Sequence, residues 1–486
     1  MQNSKPISRT FRSHPRPSAA VSSLLLLTVL ASCGSSTSSP SSSSSTTMSV
    51  APQKYFAPAI AGNALPSNYT FDDKLSNFSQ AWAGPQILNA GSFSMAQRGL
   101  LNLTISTTYV SNGNTPPIYL PTSPASSQSG SFALELAGQA GGFVQLVQQP
   151  VQQPVTPLVA ANQCPSFSSA QTYQFVTIPG ALIPPGTAPA SFAWDPTQET
   201  AFGSVSISTS GSTVYFQNIQ QFTLPSAGRS GAPAQPPPSS LTGACGPTSY
   251  GSTIAVPGQG VITDPGVSGG SNASSPQAVI GIGPSGLLVE DNGATSSRGG
   301  TLVGSNPPLP YDNVMGAGTG AVGLPVPSSA VDTGAVVGAQ YLGFIYAAGQ
   351  YNPSATTPVW SSHLASFGFS SAPSGCASVT ASTSTLIYGG DFPQTNGQDN
   401  PSASTDGFGN CDFAIDLGAQ DSANNGRYPN ATVWVGGGYA ANATGATYSF
   451  PAVAIAGQLN GKYAIFLIGE DSTTSQPWAI YLLQSN

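Results

Sequence analysis

The chain is predicted to be all-β: an antiparallel barrel or sandwich of many short strands, preceded by a smaller β-domain. Three observations predict this. Short runs of β-branched and aromatic residues recur along the chain, each bounded by Gly, Pro or Asn. Glycine supplies 55 and proline 44 of the 486 residues, a density that long helices do not tolerate. Only the stretch from Asp72 to Trp82 has any helical character.

The first folded block is placed at 51–161. Within it Leu100 to Ser106 and Ser131 to Leu136 read as strands, followed by Phe143 to Val147. The tandem Gln148-Gln149-Pro150-Val151-Gln152-Gln153-Pro154 suits an extended edge or a linker, because proline cannot donate to a ladder. The main domain is placed at 162–486. Ser204 to Thr209 alternates, Ser210-Gly211-Ser212 turns, and Thr213 to Phe216 returns, which is a hairpin signal. Ala227 to Ser240, rich in Pro and Gly, reads as a long loop. Later strands are expected at Val279–Ile282, Leu287–Glu290, Tyr341–Tyr346, Phe367–Phe369, Thr432–Val435, Ser449–Ala456, Tyr463–Gly469 and Trp478–Leu483, the last three forming a meander. No blade-length repeat supports a propeller. Short, proline-interrupted strands also disfavour a membrane-spanning barrel, whose strands run about ten residues.

The N-terminus has a different character. Lys5, Arg9, Arg12 and Arg16 precede an apolar run from Val21 to Leu30 that is too short to span a bilayer, and Leu30-Ala31-Ser32-Cys33 follows. This order resembles the lipobox signal of bacterial lipoproteins. The resemblance implies that residues 1–32 are removed and that Cys33 carries diacylglycerol on its thiol and a fatty acyl group, such as palmitate, on its new amino terminus. Several acyl chains anchor stably where one does not. Residues 33–50 then form an acylated, Ser/Thr-rich tether, which cannot bury apolar area. The implied location is the bacterial cell envelope, with the membrane as partner through the lipid. Gly34, standing where inner-membrane lipoproteins carry a retention aspartate, implies the outer membrane.

Charged residues make up 6% of the chain, against roughly a quarter in ordinary soluble proteins. Beyond Cys33 the basic residues are Lys54, Lys74, Arg98, Arg229, Arg298, Arg427 and Lys462, scattered among 18 acids. Nucleic acid needs a clustered basic footprint, so it is excluded as a partner. A polybasic membrane patch is missing for the same reason, which leaves anchoring to the lipid.

Four cysteines remain after Cys33 is set aside: Cys164, Cys245, Cys376 and Cys411. In an exported chain an even number reads as disulfides. Sequential pairing, Cys164 with Cys245 and Cys376 with Cys411, closes the shorter loops and is expected, although four cysteines allow other connectivities. No metal site is expected, because neither these cysteines nor the histidines are spaced as zinc ligands.

The catalytic candidates are weak. Val331-Asp332-Thr333-Gly334-Ala335 resembles the aspartic-protease signature, but that chemistry needs two such carboxylates and no second copy occurs. The segment reads as a turn between strands. Gly318-Thr319-Gly320-Ala321-Val322-Gly323 matches a dinucleotide fingerprint in letters only. Leu324-Pro325-Val326-Pro327 follows it where a helix should begin, so it reads as a glycine-rich loop. His363, the single histidine after the signal, has no Gly-x-Ser-x-Gly elbow to serve and reads as structural. Asp391, Asp399, Asp406, Asp412, Asp416 and Asp421 crowd a loop-rich segment with Asn410, Asn424 and Asn425. Solvated loop acids are the default there and an irregular calcium site is the alternative. The start of an EF-hand-like loop at Asp421 lacks a ligand at Ala423 and has Thr432 in place of the bidentate Glu. Glu290-Asp291 and Glu470-Asp471 end predicted strands and are the candidates for paired-carboxylate glycoside hydrolysis. Trp82, Trp194, Trp360, Trp434 and Trp478 could serve as sugar platforms or as core.

No catalytic residue is assigned and no cofactor is expected. The reading is a lipid-anchored envelope protein of non-enzymatic type, binding a ligand, a polysaccharide or another envelope component, or forming a structural coat. The alternative is an envelope hydrolase acting on polysaccharide through paired carboxylates. Few ionisable groups leave few proton-linked stability terms, so folded structure is expected to hold from about pH 7 to about pH 4. Far-UV circular dichroism across that range checks this, and a steep loss counts against it.

Overall fold

The computed structural model describes residues 53–58, 67–82, 87–97, 99–108, 128–135, 141–148, 151–152, 155–178, 201–224, 240–248, 250–262, 277–291, 300–301, 310–311, 320–347, 361–369, 384–391, 394–395, 398–399, 412–435, 448–471 and 476–485. They form three closed, eight-stranded, antiparallel up-and-down barrels in succession. The first uses β1 (Gln53–Ala57), β2 (Ser67–Asp72), β3 (Asn77–Trp82), β4 (Ile87–Gln97), β5 (Leu100–Thr108), β6 (Gln128–Glu135) and β7 (Gly141–Gln145). A small ribbon, β8 (Val147–Gln148) with β9 (Val151–Gln152), leads to β10 (Thr156–Ala160), which closes on β1 with Tyr55 opposite Ala160.

The second barrel uses β11 (Gln171–Thr177), β12 (Ala201–Ser210), β13 (Thr213–Thr223), β14 (Ser240–Thr248), β15 (Gly251–Ile262), β16 (Gln277–Ile282) and β17 (Leu288–Asp291). The ribbon of β18 (Gly300–Thr301) and β19 (Pro310–Tyr311) precedes β20 (Gly320–Pro325), which closes on β11 with Phe175 opposite Gly323. A short helix, α1 (Thr333–Val337), leads to the third barrel. That barrel uses β21 (Tyr341–Ala347), β22 (Ser361–Phe369), β23 (Leu386–Asp391), the ribbon β24 (Gln394–Thr395) and β25 (Gln398–Asp399), β26 (Phe413–Asp416) and β27 (Arg427–Val435). The hairpin β28 (Tyr448–Leu459) and β29 (Lys462–Asp471), then β30 (Gln476–Gln484), complete the ring, and Phe344 meets Tyr481 where it closes.

The all-β class is present, and of the two architectures weighed the barrel is the one formed. Residues 162–486 build two rings where one domain was expected. The C-terminal meander is present as β28–β29–β30 and the Ser210-Gly211-Ser212 hairpin as β12–β13. Asp72 to Trp82 is not helical. It is a turn leading into β3, because Phe78 and Gln80 alternate with Asn77 and Ser79 at the period of a strand and Ser76 sits at φ 50°. The hairpin between β28 and β29 turns on Asn460-Gly461, whose φ values of 51° and 76° are those of a two-residue type I′ turn.

Each barrel holds its own apolar interior: Tyr69, Phe71, Phe78 and Leu103 in the first, Tyr173, Ile207, Phe216 and Ile254 in the second, Ile415, Val433, Leu467 and Trp478 in the third. A further cluster belongs to none of them alone. Phe56, Phe143 and Val159 of the first barrel, Val176, Val279 and Val322 of the second, and Phe344, Phe466 and Tyr481 of the third form one buried core. The period of two divides the residues cleanly. In β30, Trp478, Ile480 and Leu482 join the third barrel's interior, while Ala479, Tyr481 and Leu483 join the common core. Phe143 stacks on Tyr481 at 4.6 Å, so the first barrel docks directly on the third.

The connectors are part of the packing. Before β11, Cys164 is bonded to Cys245 of β14, and Phe167 packs against the second barrel's interior while its N–H donates to Thr209 Oγ1 at 2.9 Å. Before β21, α1 inserts Val336 and Val337 into the third barrel's interior. Tyr341 Oη donates to Val336 O at 2.6 Å.

Gly281 shows how closely the barrels approach. A Cβ there would lie 2.5 Å from Val159 Cγ1 and 2.9 Å from Phe56 Cδ1, both fully buried residues of the first barrel. Gly281→Leu is expected to destabilise the fold by about 2–3 kcal/mol through overpacking. Urea unfolding of the variant checks this, and a cost below about 0.5 kcal/mol would show that the docking is loose.

Candidate functional site

The second barrel turns one broad stretch of wall outward, on β12, β13 and β14. Alternation sends Val205, Ile207, Val214 and Phe216 inward and leaves Ser206, Ser208, Tyr215 and Gln217 outside. A bulge keeps the face continuous. Ser206 pairs with Gln217 but Ser204 pairs with Gln220, so β13 carries one extra residue, and Asn218 takes the left-handed conformation at φ 52°. The extra residue returns Gln220 and Phe222 to the side already occupied by Tyr215 and Gln217. Ser240 and Thr242 continue the face on β14, opposite Gln217 and Tyr215.

This wall is uncharged: β11 to β14 contain no Asp, Glu, Lys, Arg or His. Its polarity is the reverse of a membrane-spanning strand, which is apolar outside. Tyr215 and Phe222, at 38% and 44% exposure, are large side chains left open to solvent. Phe222 stacks on Phe202 at 5.5 Å, and the Arg427 guanidinium of the third barrel lies 6.0 Å over its ring.

Arg427 belongs to a clamp between the second and third barrels. Asp421 Oδ2 accepts from Arg427 Nε at 3.0 Å and Nη2 at 2.5 Å and from Asn424 Nδ2 at 2.9 Å, while Oδ1 accepts from Ala423 N at 2.8 Å. The loop so shaped reaches across. Gln174 Nε2 of β11 donates to Asn425 O, Asn425 Nδ2 donates to Pro327 O, and Gln420 bonds the Val331 backbone through both its N–H and its carbonyl. Hydrogen bonds from Arg427 first, aided by the Ala423 N–H and Asn424, lower the Asp421 pKa to about 2 against the opposing effect of burial.

Of the acidic candidates, Asp416 and Asp421 hold local backbone and side-chain contacts. Both Asp421 oxygens face hydrogen-bond donors, so the calcium reading fails at that loop. Asp416 accepts from Thr385 Oγ1 and from Gly418 N. Asp391 ends β23, Asp399 ends β25 and Asp412 is buried ahead of β26, while Asp406 and Asn410 lie outside the described residues. No group of three or more His, Cys, Asp or Glu could hold a metal among the described residues. Glu290 and Asp291 end β17 in the second barrel, and Glu470 and Asp471 end β29 in the third. Asp291 is 0% and Glu470 3% exposed, so each is enclosed by its surroundings.

Asp332 caps α1 and accepts from Ala335 N at 3.2 Å, so the protease-like segment opens a helix where a turn between strands was expected. Gly320 to Gly323 lies in β20, a strand where a loop was expected, because both its faces are covered. His363 stands in β22 opposite Ile345. Trp478 is core against Phe450, Trp434 is half-buried on β27, Trp82 ends β3, and Trp194 and Trp360 lie outside the described residues. The Cys164–Cys245 bond is present; Cys33, Cys376 and Cys411 lie outside the described residues. Sequence reading passed over the β12–β14 face, whose signal was present as alternating Ser, Thr and Gln in strands free of charge.

Asp421→Asn is expected to cost about 1–2 kcal/mol at pH 7, because Arg427 keeps a buried guanidinium without its counter-charge. The folded pKa lies below the ordinary 3.8, so the carboxylate's contribution is complete above about pH 4 and is lost as pH falls toward about 2. Urea titrations at pH 7 and pH 2.5 check this. The gap between wild type and variant should shrink at the lower pH.

No protein-family model matches this chain, and no curated protein matches it. Among the described residues no helix is long and apolar enough to cross a membrane. Among solved structures, the chain is similar to a point mutant of transferrin-binding protein B from Haemophilus parasuis, at 8% identity and a TM-score of 0.23. It is similar also to a double mutant of the same protein, at 8% identity and a TM-score of 0.21. Each match covers 89% of this chain and 66% of the other, a likeness too remote to bear on a ligand or partner.

Proposed function

We propose that this chain is a lipid-anchored protein of the bacterial cell envelope that binds through its outer surface without turning its ligand over. The observation that supports this best is where exposed side-chain chemistry lies. Asp291 and Glu470 are enclosed and Asp421 is held in a clamp, whereas an uncharged wall of hydroxyl, amide and aromatic groups faces solvent. The barrel interiors hold closely packed apolar side chains, so binding falls to the outside. Leu30 to Cys33 and the Ser/Thr-rich tether supply the anchor in this reading, with the outer membrane as the site of display.

Two measurements test it. Expressed in a Gram-negative host with an alkyne fatty acid, the chain should take up label and fractionate with membranes, and Cys33→Ala should abolish both. An unlabelled wild-type chain would overturn the anchor. Incubated with a panel of envelope and plant polysaccharides, the protein should be retained without releasing new reducing ends. Release abolished by a carboxylate-to-amide change at Glu290, Asp291, Glu470 or Asp471 would overturn the non-enzymatic reading.

A further inference from the structure

We infer that the outer face of β12–β14 is the binding surface and that its occupant is an uncharged polysaccharide chain. This rests on the binding reading above and adds the place and the chemical class. Ser206, Ser208, Gln217, Gln220, Ser240 and Thr242 are hydroxyls and carboxamides, and each can both donate and accept. Sugar hydroxyls have the same dual capacity, so the two surfaces satisfy each other without a counter-ion.

Charge decides against the other polymers. No Asp, Glu, Lys, Arg or His stands on β11 to β14, and the Arg427 at the edge is already paired with Asp421, so a charged chain lying there would leave its charges unpaired. A polyanion would also meet a chain that beyond Cys33 carries seven basic residues against 18 acids. A protein partner needs an apolar centre with a polar rim. Here the order is inverted: the centre is hydroxyl and amide, and Tyr215 and Phe222 stand at the two ends of β13.

The spacing favours an extended chain over a small molecule. Tyr215 and Phe222 share one face and lie seven positions apart on one strand, a span of roughly 20 Å. Aromatic rings offer flat apolar faces for the C–H faces of sugar rings. Tyr215 is the stacking platform; Phe222, already stacked on Phe202 and overlain by Arg427, is a fixed apolar edge, so little side-chain freedom is lost on binding there.

The test is affinity electrophoresis of the detergent-solubilised full chain through gels holding laminarin, xyloglucan or galactomannan, which are neutral, or alginate, which is acidic. At least one neutral polymer should retard the wild type, and alginate should not. Tyr215→Ser should weaken that binding about tenfold. Gln217→Glu should weaken it at least as much, because it buries a charge against neutral sugar. Leu75→Ser, at an exposed turn of the first barrel, should leave it unchanged. These side chains are exposed, so circular dichroism should show all three variants folded. Neutral-polymer binding indifferent to both Tyr215→Ser and Gln217→Glu would overturn the assignment of this face and leave the binding reading standing. Retardation by alginate alone would overturn the neutral class. Retardation by none would overturn the inference, and the binding reading would fall with it only if the wider panel were also silent.

Discussion

Strands β21, β28, β29 and β30 bury both of their faces, and the arrangement of the three barrels depends on that. One set of alternate residues fills the third barrel, and the other set meets Phe56, Phe143 and Val159 of the first barrel and Val176, Val279 and Val322 of the second. Burying one such side chain contributes about 1.5–3 kcal/mol, more than a polar contact at the edge of the junction. Apolar contact therefore sets the docking, and the polar contacts adjust it. Gly281 exists under that constraint, since no side chain fits between β16 and the first barrel.

The connectors answer a second need of closed barrels, whose ends would otherwise admit water. The segment before the second barrel brings Phe167 against its interior and is held by the Cys164–Cys245 bond across 81 positions of sequence. The segment before the third folds one short helix and places Val336 and Val337 among its interior residues. Covalent closure and helix insertion are different chemical solutions to one packing problem. Both couple a barrel's stability to the segment that enters it.

Ionisable groups are used sparingly and with definite purpose. Asp421 and Arg427 shape a loop that reaches back to Gln174, Pro327 and Val331, fixing the second barrel against the third. Arg427 is shared between that clamp and the Phe222 ring. The Phe222 end of the uncharged face is thus tied to the inter-barrel clamp.

The sequence by itself determined the β class and the hairpin at Ser210-Gly211-Ser212, while the pairing of Cys164 with Cys245 was one of several connectivities it allowed. It did so because alternation and turn residues are local properties, whereas a cysteine pairing across 81 positions is settled by the fold. The near-continuous apolar runs Tyr341–Tyr346, Tyr463–Gly469 and Trp478–Leu483 were legible as strands, but their meaning was not. Apolar residues on both faces require a second barrel to cover the outer one, and what covers it is chosen by residues hundreds of positions away. Asp72 to Trp82 was misread for a related reason, since its period of two is set by the interior it faces. The acids near Asp421 left calcium open as an alternative to solvated loop acids because sequence shows the oxygens and not the Arg427, Ala423 N–H and Asn424 that occupy them. Only the tertiary structure decided which walls stay open to solvent, because exposure is what remains after the three barrels have covered each other.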